Sequence, residues 1–293
     1  MNSITPSDRS IFGLDRERFY KVFKYTVFLL LFFNIFYWLQ EDFLASAHTY
    51  REGVSWQQIG NAFAQALDSF TWFLLLLIFE LETAIISDKK LTSKVKWGLN
   101  LLAGICYLLI MFAFVGYATK FFMIFNFTPL PFNGGCDAVG TYLSYAIELD
   151  DYAALTTANC DGLSAPLFGN LGAGLIATKD VLYELKWLVT AETLNAAVWI
   201  LIVFLLWIDL FIQLTNREHG PLYRINIVCK AILYFSLIVI CLYLAFEAPF
   251  MEFWDALLWV IAFFFIELNI FQWASELKDT SPQQEETTKG TEQ

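Results

Sequence analysis

The sequence predicts an all-α membrane protein with six transmembrane helices and a small extracytoplasmic cap. Of its 293 residues, 58% are hydrophobic and only 16% are charged, whereas a soluble domain carries about 25% charged residues. Roughly 20 apolar residues cross the hydrocarbon core of a bilayer. Windows of this kind occur at 22–40, 67–87, 97–119, 192–214, 225–246 and 254–274.

Basic residues cluster on one side of the predicted bundle. They flank the first segment and fill the 2–3 and 4–5 connections: Arg9, Arg16, Arg18, Lys21, Lys24, Lys89, Lys90, Lys94, Lys96, Arg217 and Arg224. Because cytoplasmic flanks retain Lys and Arg, we expect both termini in the cytoplasm and the chain in the cell inner (plasma) membrane. Residues 1–21 are then a cytoplasmic segment. No signal-peptide cleavage pattern follows the first apolar run, so that run is expected to stay as a helix.

The stretch 120–190 separates the two predicted membrane parts, 22–119 and 191–274, and is long enough to fold as a cap. It contains Cys136 and Cys160. We predict a disulfide between them, which in an oxidising space would stabilise the loop by about 3 kcal/mol. A metal pair is the alternative, but it lacks a nearby histidine.

Two short helices are predicted inside this cap. Aromatic and leucine residues recur at roughly helical spacing over 142–155. The stretch 180–187 is predicted as a second helix, lying at the membrane interface on Tyr183 and Trp187. The acidic residues of the cap are expected to form a solvated face, with concentration of cations at a pore mouth as the alternative. They are Asp137, Glu148, Asp150, Asp151 and Asp161.

The net charge of −11 is concentrated in the cap and the tail, so no nucleic-acid partner is expected. The tail, 275–293, is polar and acidic, which is typical of disordered segments. Cys106, Cys229 and Cys241 lie inside predicted helices and are interpreted as small apolar fillers. The expected partners are the lipid bilayer and either a second copy of the chain or a larger membrane complex.

Three predicted segments carry an acid within an apolar run. Glu80, Asp209 and Glu267 each precede a leucine and follow a tryptophan by eight to ten residues. All three segments run in the same direction in the predicted topology, so the acids share a depth. The pattern raises the interpretation of three hairpin repeats, with the cap inserted in the second.

An ionised carboxylate deep in hydrocarbon costs about 2.5–3.5 kcal/mol on the insertion scale, so it faces the bundle interior, a cavity or a partner charge. We expect the three acids to converge, with Gln213 and Asn269, in a polar funnel open to the cytoplasm. Lys230 lies at a matching depth and is predicted to pair with Asp209. The alternative is a buried polar network whose pairs only hold helices together.

No motif of a catalytic site is found. The two histidines, His48 and His219, are predicted on opposite sides of the membrane and cannot share a haem or zinc ion. A nucleophile elbow, a zinc-protease helix, a phosphate-binding glycine loop and a potassium filter are absent from the sequence. We expect no enzyme, no cofactor and no metal site. The predicted function is a cation or proton channel or transporter that uses intramembrane carboxylates. The alternative is a non-catalytic accessory or scaffold subunit of a larger membrane complex.

Overall fold

The computed structural model describes residues 16–85, 92–214 and 220–264. Within them the chain is mostly helical, and five helices are long and apolar enough to cross a membrane. These helices are α1 (Arg16–Thr49), α3 (Ala64–Glu80), α4 (Ser93–Phe125), α5 (Lys179–Leu214) and α6 (Pro221–Glu247). A single turn, α2 (Ile59–Ala62), precedes α3, and a π-helical turn, Leu81–Ile85, follows it.

The sixth predicted segment, 254–274, is covered only in part. A helix, α7, occupies 250–264 directly after Pro249, while 265–274 and the tail 275–293 lie outside the described residues. The sixth span and the three hairpin repeats therefore remain predictions.

Several helices are longer than the bilayer requires. α4 has 33 residues and α5 has 36, which at 1.5 Å per residue is about 50 Å. The separate interfacial helix predicted over 180–187 is wrong, because these residues form the first turns of α5. No glycine or proline occurs between residues 179 and 214 to end that helix.

The cap contains a β-sheet, which corrects the all-α expectation. Its five strands lie in the order β1-β4-β5-β2-β3. The β2–β5 pair is parallel and the other pairs are antiparallel. The strands are β1 (Thr128–Pro129), β2 (Ser144–Glu148), β3 (Asp151–Ala154), β4 (Leu167–Asn170) and β5 (Leu175–Thr178). The predicted disulfide between Cys136 and Cys160 is confirmed, with Cα atoms 4.7 Å apart.

The helix predicted over 142–155 is wrong, because this stretch forms the β2–β3 hairpin. Asp150 has φ +63° at the turn, a left-handed conformation that aspartate tolerates better than most residues. Ser144 and Ala146 are buried, with Tyr145 between them less so, which is the alternation of a strand. The tyrosines and leucines that suggested a helical period fit this hairpin equally well.

The end of α1 is attached to the cap at Ser144, whose side chain is completely buried. The Ser144 hydroxyl accepts a hydrogen bond from Arg51 Nη2 at 2.8 Å and lies 2.8 Å from His48 Nδ1. An apolar core continues from the sheet into the bundle through Ile124 and Leu185. The cap is thus joined to the helices by packing and by hydrogen bonds.

Glycines allow α2 and α4 to approach closely. A Cβ atom added at Gly116 would lie 2.1 Å from the carbonyl oxygen of Gly60 and 2.9 Å from the Cβ atom of Ala64. This contact fixes the start of α3 against α4, at the end of the bundle nearest the cap, called the cap end below.

Candidate functional site

A buried polar cluster lies at the cap end of the bundle, where the α2–α3 connection bends. Phe63 leaves the helical conformation, with φ −129° and ψ +40°. The buried Asp42 carboxylate on α1 accepts a hydrogen bond from the Ala66 amide at 2.9 Å. Because the first amides of a helix have no partner within that helix, Asp42 caps α3 from a neighbouring helix. This arrangement sets the positions of Gln65 and Asp68 in the first turns of α3.

Lys120 links the cap to the bundle. Its ammonium forms an ion pair with Asp150 of the β2–β3 turn and lies 3.5 Å from Glu192 Oε2 on α5. All three side chains are less than a tenth exposed. The solvated face expected for the cap acids is therefore wrong for Asp150, because the turn directs its carboxylate into the bundle.

Gln65 joins two further acids from different helices. Its Nε2 atom donates to Glu192 Oε1 at 3.3 Å and to Glu252 Oε1, on α7, at 3.4 Å. The Gln65 side chain is buried, and its Oε1 atom has no hydrogen-bond partner. Glu192 Oε2 also lacks one, although Lys120 is nearby. Buried polar atoms without partners are rare in proteins.

Asp68 and Asp255 lie among uncharged groups. Asn34 donates to Asp255 Oδ1 at 2.7 Å, and the side chains of Trp38 and Trp259 lie beside this carboxylate. The side chains of Trp72 and Tyr117 lie beside the Asp68 carboxylate. Among the described residues, neither Asp68 nor Asp255 forms an ion pair.

These groups surround a cavity of about 60 Å³. Since a water molecule needs roughly 10–15 Å³ of such space, several waters or one small ligand fit. The polar lining residues are Gln65, Asp68, Ser69, Glu192, Asn195, Glu252 and Asp255, and the aromatic ones are Trp38, Trp72, Tyr117, Trp199, Trp259 and Phe263.

The cluster contains far more acids than bases. Seven carboxylates interact with one another or with Lys120, the only lysine that the described residues bring to the cluster. They are Glu41, Asp42, Asp68, Asp150, Glu192, Glu252 and Asp255. Because isolated charges are costly to bury, this excess of acid favours uptake of protons or of a cation.

The predicted site residue Glu80 has a basic partner that the sequence interpretation did not assign. Lys24 Nζ on α1 lies 2.6 Å from Glu80 Oε1, and the Tyr25 hydroxyl donates to the same oxygen at 2.9 Å. Lys24 was interpreted as part of the basic cytoplasmic flank. Lys24 lies about two turns after the start of α1 at Arg16, and its side chain is directed at Glu80 of α3.

The predicted pair between Asp209 and Lys230 is present. Asn226, one turn before Lys230 on α6, also donates to the Asp209 carboxylate. The Gln213 side chain, Glu267 and Asn269 lie outside what the structure describes, so their part in a polar funnel stays a prediction.

Neither Glu80 nor Asp209 lines the cavity. Twelve residues of α3 separate Glu80 from Asp68, about 18 Å of helix, and 17 residues of α5 separate Asp209 from Glu192, about 25 Å. Each of the two acids is paired across a different set of helices, α1 with α3 and α5 with α6.

The acids of the cavity were missed because each lies at or just beyond the end of a predicted segment, where a charge usually reaches water. Their common feature was visible in the sequence. Glu41, Asp68, Glu192 and Asp255 all lie at the end of a predicted segment that is on the same side of the membrane as the cap in the predicted topology.

Comparison of the chain with protein-family models, curated proteins and solved structures finds no match.

Proposed function

We propose that this chain is a multi-pass membrane protein that binds a cation or proton in the carboxylate cavity and carries it across the bilayer. The observation that supports the proposal most is that seven interacting carboxylates share the cluster with a single described lysine, Lys120, beside a cavity large enough for water. Intramembrane acids commonly mark ion or proton pathways.

Asp68 and Asp255 are the proposed acceptors of the transported charge, because their neighbours are uncharged. For Asp255, the hydrogen bond from Asn34 stabilises a carboxylate without cancelling its charge. Glu192 and Glu252, bridged by Gln65, provide a second acceptor pair. Lys120 holds the cap carboxylate of Asp150 against this pair and limits the local excess of negative charge.

An apolar layer lies between the cavity and the opposite end of the bundle. It includes the buried side chains of Leu31, Leu76 and Ile202. Water does not pass through packing of this kind, so passage through the described part of the bundle requires rearrangement of the helices. This feature favours a carrier over an open channel.

In the proposed orientation, the protein lies in the cell inner membrane. Its cap is outside and both termini are in the cytoplasm. The charge asymmetry of the connections supports it. The disulfide of the cap is also consistent with an oxidising space outside the cytoplasm.

The test is flux of H⁺, Na⁺ and K⁺ in liposomes that contain the purified protein, followed with ion-sensitive dyes. We expect flux of one of these cations in the wild type and at least about tenfold less in Glu192→Gln, because the amide removes charge but nearly keeps shape. The matched control is Glu184→Gln, an exposed glutamate two turns earlier on α5, which should keep wild-type flux. Equal loss of flux in the two variants would contradict the assignment.

A non-catalytic accessory subunit is the second candidate function. It is favoured by one observation, that Glu80 and Asp209 are each neutralised within a separate helix pair and need no ion pathway. Absence of flux for every cation tested in the wild type would favour this candidate.

A further inference from the structure

The cavity has an aromatic wall that an inorganic cation does not need. Four of the ten tryptophans of the chain line it, together with Tyr117 and Phe263. Trp38 and Trp199 are less than a tenth exposed. Tryptophans of membrane proteins are enriched at the two lipid–water interfaces. Here three of the four lie beside a carboxylate of the cavity, Trp72 beside Asp68 and Trp38 and Trp259 beside Asp255.

The rings of this wall are tilted against one another. The Trp199 ring centroid lies 6.3 Å from that of Trp72 and 4.9 Å from that of Phe263, with interplanar angles of 55° and 56°. These three rings therefore present differently oriented surfaces to the cavity that they line. Aromatic faces attract a cation that lies within about 6 Å of the ring centroid.

Charged and polar groups complete the cavity. Asp68 and Asp255 lack a basic partner within the described residues. The buried Gln65 lines the same space and has an unpartnered Oε1 atom. The site therefore offers anionic and acceptor oxygens beside apolar aromatic walls.

The ammonium group of Lys120 lies near both a carboxylate and an aromatic ring beside the cavity. Lys120 Nζ lies 5.9 Å from the ring centroid of Tyr117 and forms its ion pair with Asp150. Tyr117 also lines the cavity. An alkylammonium between a carboxylate and an aromatic ring thus already occurs at the cavity edge.

We infer that the cavity binds a small organic ammonium ion, with its alkyl groups against the tryptophans and its charge near Asp68 and Asp255. Ca²⁺ and Mg²⁺ are bound by oxygen ligands alone, whereas an alkylammonium ion also contacts the ring faces. Alkylated ammonium ions are bound by aromatic cages in many proteins. This inference rests on the proposed function and names the substrate class of the same site.

The first measurement is binding of choline to the purified protein by calorimetry, with tryptophan fluorescence as a second signal. The uncharged isostere 3,3-dimethyl-1-butanol, NaCl and KCl serve as comparison ligands. We expect saturable choline binding at least about tenfold tighter than binding of the alcohol. Equal binding of choline and the alcohol, or no choline binding, would overturn the inference.

Variants assign the binding to the aromatic wall. We expect Trp199→Leu to weaken choline binding at least about fivefold, and Trp199→Phe to keep most of it, since phenylalanine retains a ring face. The control is Trp207→Leu, an exposed tryptophan two turns further along α5, which should bind as the wild type does. Equal binding by Trp199→Leu and the wild type would overturn the inference.

Asp255→Asn provides a variant that tests charge instead of ring contact. It should lose choline binding while retaining the monodisperse elution and thermal unfolding profile of a folded protein. Retained choline affinity in this variant would overturn the inference.

Uptake of radiolabelled choline into liposomes separates this inference from the proposed function. Flux of protons or K⁺ without choline binding would contradict the substrate class alone. Choline binding without flux of any cation, choline included, would support the ligand class and contradict transport.

Discussion

Lys24 and Glu80 form a buried ion pair between α1 and α3, with Lys24 Nζ 2.6 Å from Glu80 Oε1. Each side chain is no more than 5% exposed. The Tyr25 hydroxyl donates to the same oxygen, and the Lys24 ammonium lies 5.2 Å from the Tyr25 ring centroid. The pair explains why an apolar segment carries this glutamate, since its charge is balanced locally.

Replacement of Glu80 should therefore destabilise the protein. Glu80→Gln leaves the Lys24 charge buried without a counter-charge, which costs about 3–5 kcal/mol. The double change Lys24→Met and Glu80→Gln should recover most of the loss. Thermal unfolding in detergent measures both effects. Glu82→Gln, two residues away and less buried, is the control. Equal stability of Glu80→Gln and the wild type would contradict a stabilising pair.

Asp209 and Lys230 form a similar ion pair between α5 and α6, but it is less buried. The side chains of Lys230 and Asp209 are 20% and 17% exposed, so water screens the stranded lysine in part. We expect Asp209→Asn to cost about 1–3 kcal/mol, less than Glu80→Gln, and Lys230→Met to restore stability in the double variant. A larger loss from Asp209→Asn than from Glu80→Gln would show that exposure does not govern these costs.

The contact between Gly60 and Gly116 provides a test of packing within the membrane. Gly116→Ala would place a methyl group 2.1 Å from the Gly60 carbonyl oxygen and should lower the melting temperature or prevent folding. Gly104→Ala, on the same helix, meets nothing within 4 Å. It should be neutral or stabilise the protein by up to about 1 kcal/mol, because alanine favours helix. Equal effects of the two substitutions would contradict the close approach of α2 and α4.

Thiol labelling tests the proposed orientation. Tyr142 in the cap is 85% exposed, and Ser93 begins α4 at the other end of the bundle. In a background that lacks Cys106, Cys229 and Cys241 but keeps the disulfide, Tyr142→Cys should react with an impermeant reagent added to intact cells. Ser93→Cys should react only after the membrane is opened. The reverse pattern would invert the orientation and place the cap in the cytoplasm.

Hydropathy alone predicted the five long apolar helices, because roughly 20 apolar residues in succession are typical of a membrane-spanning helix. It also placed Asp209 opposite Lys230, since a short connection makes α5 and α6 neighbours. The cap sheet was not predictable in this way. Its strands have only two to five residues, and over such lengths helical and strand spacing cannot be told apart.

The candidate site was missed for a different physical reason. Asp42, Glu192 and Glu252 lie beyond or at the edges of apolar runs, where a sequence gives no sign that a folded cap will exclude water from them. Only the three-dimensional arrangement brings Asp150 of the β2–β3 turn to Lys120 of α4. Conversely, the acids that stood out within apolar runs, Glu80 and Asp209, each pair with a lysine away from the cavity.

Cation flux through reconstituted protein distinguishes the cavity carboxylates from the paired ones most directly. Asp68→Asn combined with Asp255→Asn removes the two aspartates of the cavity. Lys24→Met combined with Glu80→Gln removes an ion pair about 18 Å of helix away from Asp68. We predict that the first combination abolishes the wild-type flux and that the second retains it, with both proteins folded. Retained flux in the first combination together with lost flux in the second would contradict the cavity as the cation site.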